Sequence, residues 1–151
     1  MIDWTGLLRE RHAAANELYL DLIGTLTPEV LRSRLPRVRS SPVSNHFWCV
    51  VGARESYRRA ALAGSWQGFS CSLQGDEDED PAAVRAALLR TGAEISDWLS
   101  APMPDDEARR LAVRLLEHET QHHGQLIRYF YALPLPVPDS WVRTYVLEDS
   151  I

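Results

Sequence analysis

The run Leu115-Leu116-Glu117-His118-Glu119-Thr120-Gln121-His122-His123-Gly124-Gln125 decides how this chain is read. Its apolar and ring-bearing positions, extended back to Leu111 and on to Tyr129, recur every three or four residues, the period of one face of an α-helix. On that face His118 and His122 are neighbours one turn apart. Asp105 and Asp106 suit the start of this helix, and Pro134 forbids its continuation beyond about Leu133.

The same period runs through the rest of the chain. A first helix is expected from about Trp4 to Leu26, with Leu8, Ala15, Leu18, Leu22 and Leu26 on one stripe. Thr27 and Pro28 form the cap and first position of a short helix, followed by the linker Arg32-Ser33-Arg34-Leu35-Pro36-Arg37-Val38-Arg39. A second long helix opens near Ser41-Pro42-Val43-Ser44, shows Phe47, Val50, Arg54, Tyr57 and Ala61 on one face, and stops at Gly64. Ser65 to Asp80 reads as a long loop, partly packed through Trp66 and Phe69, with a solvated acidic run from Asp76 to Asp80. Asp80 and Pro81 begin a third long helix carrying Val84, Leu88, Ile95 and Leu99 inward, which Pro102 and Pro104 end. Pro134, Pro136 and Pro138 predict an irregular tail in which Trp141 and Tyr145 lie over the surface. The expectation is an all-α four-helix bundle, one domain over 1–151, with a long loop between helices two and three.

Bulk composition narrows the function classes. The 151 residues hold 45% hydrophobic and 25% charged side chains, as an ordinary globular domain does. A net charge of −5 argues against a nucleic-acid partner. All 16 basic residues are Arg, so lysine Schiff-base chemistry is excluded. No apolar run approaches the roughly 20 residues of a membrane span, and no basic leader precedes an apolar segment. Two cysteines, Cys49 and Cys71, suit a reducing compartment, and together these features set the expectation of a cytoplasmic protein.

Neutral imidazole is the commonest metal ligand, and His118 and His122 are placed to share one divalent ion. Open metal sites use three protein ligands, and bundles draw them from facing helices. The third donor is then His46, one turn before Val50 and able to look inward, or His12, set among Arg9, Glu10 and Arg11; His46 is favoured. His118-Glu119-Thr120-Gln121-His122 also spells H-E-x-x-H, the zinc-peptidase pattern in which Glu119 would activate water. Its longer form fails at Gln125 and Arg128. A bland alternative keeps the histidines as hydrogen-bonded core residues of a binding or dimerisation module. Arg37 and Arg39 are candidates for gripping an anionic cosubstrate. His123, Glu119 and Gln121 are placed to orient the ligands. Cys49 and Cys71 read as packing residues.

Four long helices, the last carrying H-E-T-Q-H-H-G-Q-L-I-R-Y ahead of a proline-rich tail with a Trp, resemble the DinB/YfiT-like superfamily. The resemblance spans nearly the whole chain and is sharpest from His118 to Tyr129. It implies a DinB-like bundle, a three-histidine site for a divalent metal such as zinc or nickel, frequent homodimers, and small-molecule transferases or isomerases that use low-molecular-weight thiols. His118 and His122 match the family's paired histidines. The family's helix-two histidine falls at Val51, so His46 either takes over its role from five residues earlier or leaves the site incomplete.

Overall fold

A computed structural model describes residues 3–148. The elements are helical: α1 (Trp4–Ile23), α2 (Pro28–Arg32), α3 (Val43–Ala63), α4 (Pro81–Ser100), α5 (Asp106–Ala132) and α6 (Asp139–Tyr145), with one 3₁₀ turn at Glu77–Glu79. Among the described residues there is no strand, and no helix is long and apolar enough to cross a membrane.

Local chemistry sets the boundaries. Carboxylates cap three of the four long helices: Asp3 accepts from Gly6 N at 2.9 Å, Asp80 from Ala82 N at 2.9 Å, and Asp105 from Ala108 N at 2.8 Å. Thr27 caps α2 with Pro28 in its first turn. Gly64, at φ 71°, takes the left-handed conformation that closes α3. The first helix ends three residues earlier than its hydrophobic stripe implies; Leu26 still reaches the core after the chain turns at Gly24.

α1 packs on α4 and α5, and α3 packs on α5 and α4, so the four long helices enclose a common interior. That interior is not uniformly apolar. One cluster gathers Tyr19, Leu22, Phe47, Leu88, Leu126 and Trp141; another gathers Ala53, Ile95, Trp98, Leu99 and Leu115. Between them lies a polar layer to which every long helix contributes: His12 and Asn16 from α1, Arg54 from α3, Thr91 from α4 and Glu119 from α5. Gly92 makes room for it, since a Cβ there would stand 2.6 Å from Asn16 Nδ2.

The long loop between α3 and α4 is tied down along α3. Trp48 Nε1 donates to Leu73 O at 3.2 Å, and Ser56 Oγ exchanges hydrogen bonds with Ser70. Cys71 and Leu73 are buried beneath it, whereas Trp66 and Phe69, expected to anchor the loop, keep much of their surface exposed. The tail departs from expectation. Residues 134–138 are irregular, as three prolines require, but α6 comes next, and its Trp141 is fully buried with Nε1 donating to Leu18 O at 2.7 Å. An indole needing both an apolar slot and an acceptor finds both against α1, so this segment is part of the core.

Candidate metal centre

α5 places His118 and His122 on the side that faces the first turns of α3, where His46 sits. The rings meet nitrogen to nitrogen: His118 Nε2 lies 3.2 Å from His122 Nε2, and His122 Nδ1 lies 2.9 Å from His46 Nδ1. His46 Nε2 continues the chain to Tyr129 Oη at 3.2 Å, and Tyr129 donates to the Ser41 carbonyl. Sequence spacing thus placed the i, i+4 pair correctly, and the structure brings His46 to it.

Burial keeps these imidazoles uncharged. It lowers the His46 pKa, with the Gln125 side chain opposing, and lowers that of His118, with Glu119 opposing. His122 is pushed down to about 3 by burial and by the neighbouring rings of His118 and His46. Neutral imidazoles each carry one proton, which makes the network countable. A carbonyl only accepts, so the Tyr129 proton is committed to Ser41 O and His46 must donate from Nε2. His46 Nδ1 is then a bare acceptor for His122 Nδ1–H, and His122 Nε2 a bare acceptor for His118 Nε2–H. The count leaves His118 Nδ1 as a lone pair, and that atom is buried with no hydrogen-bond partner.

Two imidazole nitrogens held about 2.1 Å from one tetrahedral ion stand about 3.4 Å apart. The observed 3.2 and 2.9 Å are close to that spacing. His122, however, shows one nitrogen to each neighbour, and among the described residues no three His, Cys, Asp or Glu side chains already converge on a single ion position. His118 and His122 share an ion through Nε2 once the proton between them leaves Nε2 of His118 for its Nδ1; adding His46 also requires one ring to turn. The donor set itself, uncharged nitrogens from two facing helices, fits a zinc- or nickel-type ion.

The other candidates are spoken for. Glu119 points into the polar layer, where its carboxylate accepts from Arg54 Nε at 2.6 Å and Arg54 Nη2 at 3.1 Å. Burial alone would raise its pKa; the Arg54 charge and hydrogen bonds outweigh that and hold it below the usual range. A carboxylate gripped by a fixed guanidinium is not a free base for water. His12 belongs to the same layer: Nε2 donates to Ala112 O at 3.0 Å, while Nδ1 is buried without a partner beside a cavity of about 90 Å³. His123 faces away from the triad, with Nδ1 2.6 Å from Tyr145 Oη and its ring packed on Tyr19 and Trp141; burial takes its pKa to about 4.

The arginine linker does not converge. Arg32 pairs with Glu79 at 2.6 Å, Arg34 donates to Ser40 O, and Arg37 and Arg39 are exposed and form no ion pair among the described residues. Both thiols are held protonated at neutral pH, Cys49 by burial and Cys71 pushed up by burial to about 11, so neither is a ready nucleophile. The Arg54–Glu119 pair, the Tyr129–Ser41 anchor and the His123–Tyr145 contact were not read from sequence. Their one visible signal was Arg54 standing in an otherwise apolar stripe. Neither a protein-family model, nor a curated protein, nor a solved structure matches this chain.

Proposed function

We propose that the protein is a metal-dependent enzyme built as a DinB-like four-helix bundle, in which His46, His118 and His122 hold one divalent ion. The observation that carries this reading is the meeting of three neutral imidazoles, from two helices, at ligand-like spacing. When bound, the ion supplies Lewis acidity that makes a thiol or water group nucleophilic near neutral pH. His118 and His122 supply nitrogens from one helix face, and His46 supplies the third across the seam. Tyr129, fixed by Ser41 O, orients His46, and the Gln125 side chain beside it steadies the same ring. The reaction class is thiol transfer or a related step on a small molecule. The H-E-x-x-H peptidase reading loses its base, because Glu119 is engaged by Arg54.

A second reading has its own support. The hydrogen-bond chain from His118 to Ser41 O is satisfied at every shared atom without an ion, as in a metal-free binding module. Metal analysis of untagged protein after zinc or nickel loading separates the two. The expected result is one ion per chain, lost in His118→Ala and His122→Ala, weakened at least tenfold in His46→Ala, and unchanged in His12→Ala. Absence of stoichiometric metal, or its retention in both helix-α5 variants, overturns the metal reading.

A further inference from the structure

The α3–α5 seam that holds the histidines continues toward the end of α3 and there opens into a cavity of about 350 Å³. That volume is at the small end of the range in which proteins bind small molecules, about 300–1,000 Å³. Its floor is apolar: Ala60 and Ala61 of α3, Ala108 and Leu111 of α5. Gly64 turns the chain so that Trp66 comes back to meet Tyr57 edge to face, ring centroids 5.7 Å apart and planes at 79°. Trp66 lines this cavity and keeps 55% of its surface exposed.

Charge is distributed unevenly along this cavity. Asp105 is committed to capping α5. Glu107 stands at the far end and Arg114 at the near end, and neither has an ion-pair partner among the described residues. Residues 107, 111, 114 and 118 fall on one stripe of α5, which puts Arg114 a single turn from His118.

We infer that this cavity binds a small aromatic carboxylate, its ring against the wall that Tyr57 and Trp66 form together and its carboxylate on Arg114, one turn from His118. Glu107 repels the anion from the far end, so the compound enters in one orientation. A guanidinium fork is the side chain suited to a carboxylate, and an edge-to-face aromatic wall over an alanine floor suits a flat ring. The inference rests on the metal reading only in making the bound acid a substrate of the histidine site.

Calorimetric titration of the full chain with 3-phenylpropionate tests it, with 3-phenylpropanol and 3-phenylpropylamine as the neutral and cationic counterparts. The acid is expected to bind wild type, and to lose about tenfold in affinity in Arg114→Gln, an exposed helical position where Gln keeps the helix. Trp66→Ala is expected to weaken acid and alcohol alike, and the amine to bind worst. No binding of the acid, equal binding of acid and alcohol, or no change in Arg114→Gln overturns the inference. Zinc content measured on the same samples keeps the two readings apart. Acid bound without stoichiometric zinc overturns the metal reading alone, and zinc bound without acid overturns the cavity inference alone.

Discussion

Ser41 gives the histidine cluster no side chain, yet its carbonyl decides every tautomer there, because an acceptor at one end of a chain of neutral imidazoles orders all the protons behind it. In metal-free protein the protons are therefore expected on His46 Nε2, His122 Nδ1 and His118 Nε2, which nitrogen-15 shifts of the rings report directly. A mixture of tautomers at His122 would show that the count is wrong. Tyr129→Phe removes the atom that receives the His46 proton and is expected to weaken metal binding by about 10- to 100-fold, read by competition with a chelating dye. At this scale the sequence was legible where chemistry is local. The i, i+4 spacing of His118 and His122 is written in five consecutive residues. The partner of Glu119 lies 65 positions away, so the H-E-x-x-H pattern suggested a base where the fold makes an ion pair. His12 shows the same limit: its charged sequence neighbours are exposed while its ring turns to Ala112 O.

Helix limits were readable wherever a cap announced them, as at Asp80-Pro81, Asp105 and Gly64. The tail was not. Alternating prolines mask the residues beyond them, although Pro138-Asp139 is itself a helix-starting signal and Trp141 and Tyr145 stand four apart on one face. α6 is short, and a seven-residue helix has little stability of its own. It stays because Trp141 is sunk among Tyr19, Phe130 and His123. Trp141→Ala is expected to cost about 3–5 kcal/mol in urea unfolding. Trp4→Ala, at a position 66% exposed, is expected to change stability by less than about 0.5 kcal/mol. Equal effects from the two would mean that α6 adds nothing to the core.

Over the whole molecule, all five histidines have pKa values lowered by burial. Unfolded, each takes a proton as pH falls through about 6.5. Folded, His123 resists until about 4 and His122 until about 3. The unfolded chain thus binds more protons throughout that interval, and stability, complete above the unfolded value, declines as pH drops. Glu119, also depressed, adds a loss of the same sign at lower pH, present above the ordinary carboxylate range and gone below its folded value. Urea midpoints in chelator are therefore expected to fall steadily from pH 7.5 to pH 5, and a flat profile over that span would mean the imidazoles are not held neutral. Composition showed only an ordinary globular chain; burial of every histidine is a property of helix packing that no count of residues contains.

The polar layer between the two apolar clusters also works as a key. Slide α3 or α5 by one turn and Arg54 or Glu119 would be stranded among aliphatic groups, an error that costs several kcal/mol. That penalty indexes α3 against α5, and the same alignment sets His46 level with His122. The tolerance with which three imidazoles find each other is inherited from a lock whose guanidinium lies two turns along α3 from His46 and whose carboxylate follows His118 directly on α5.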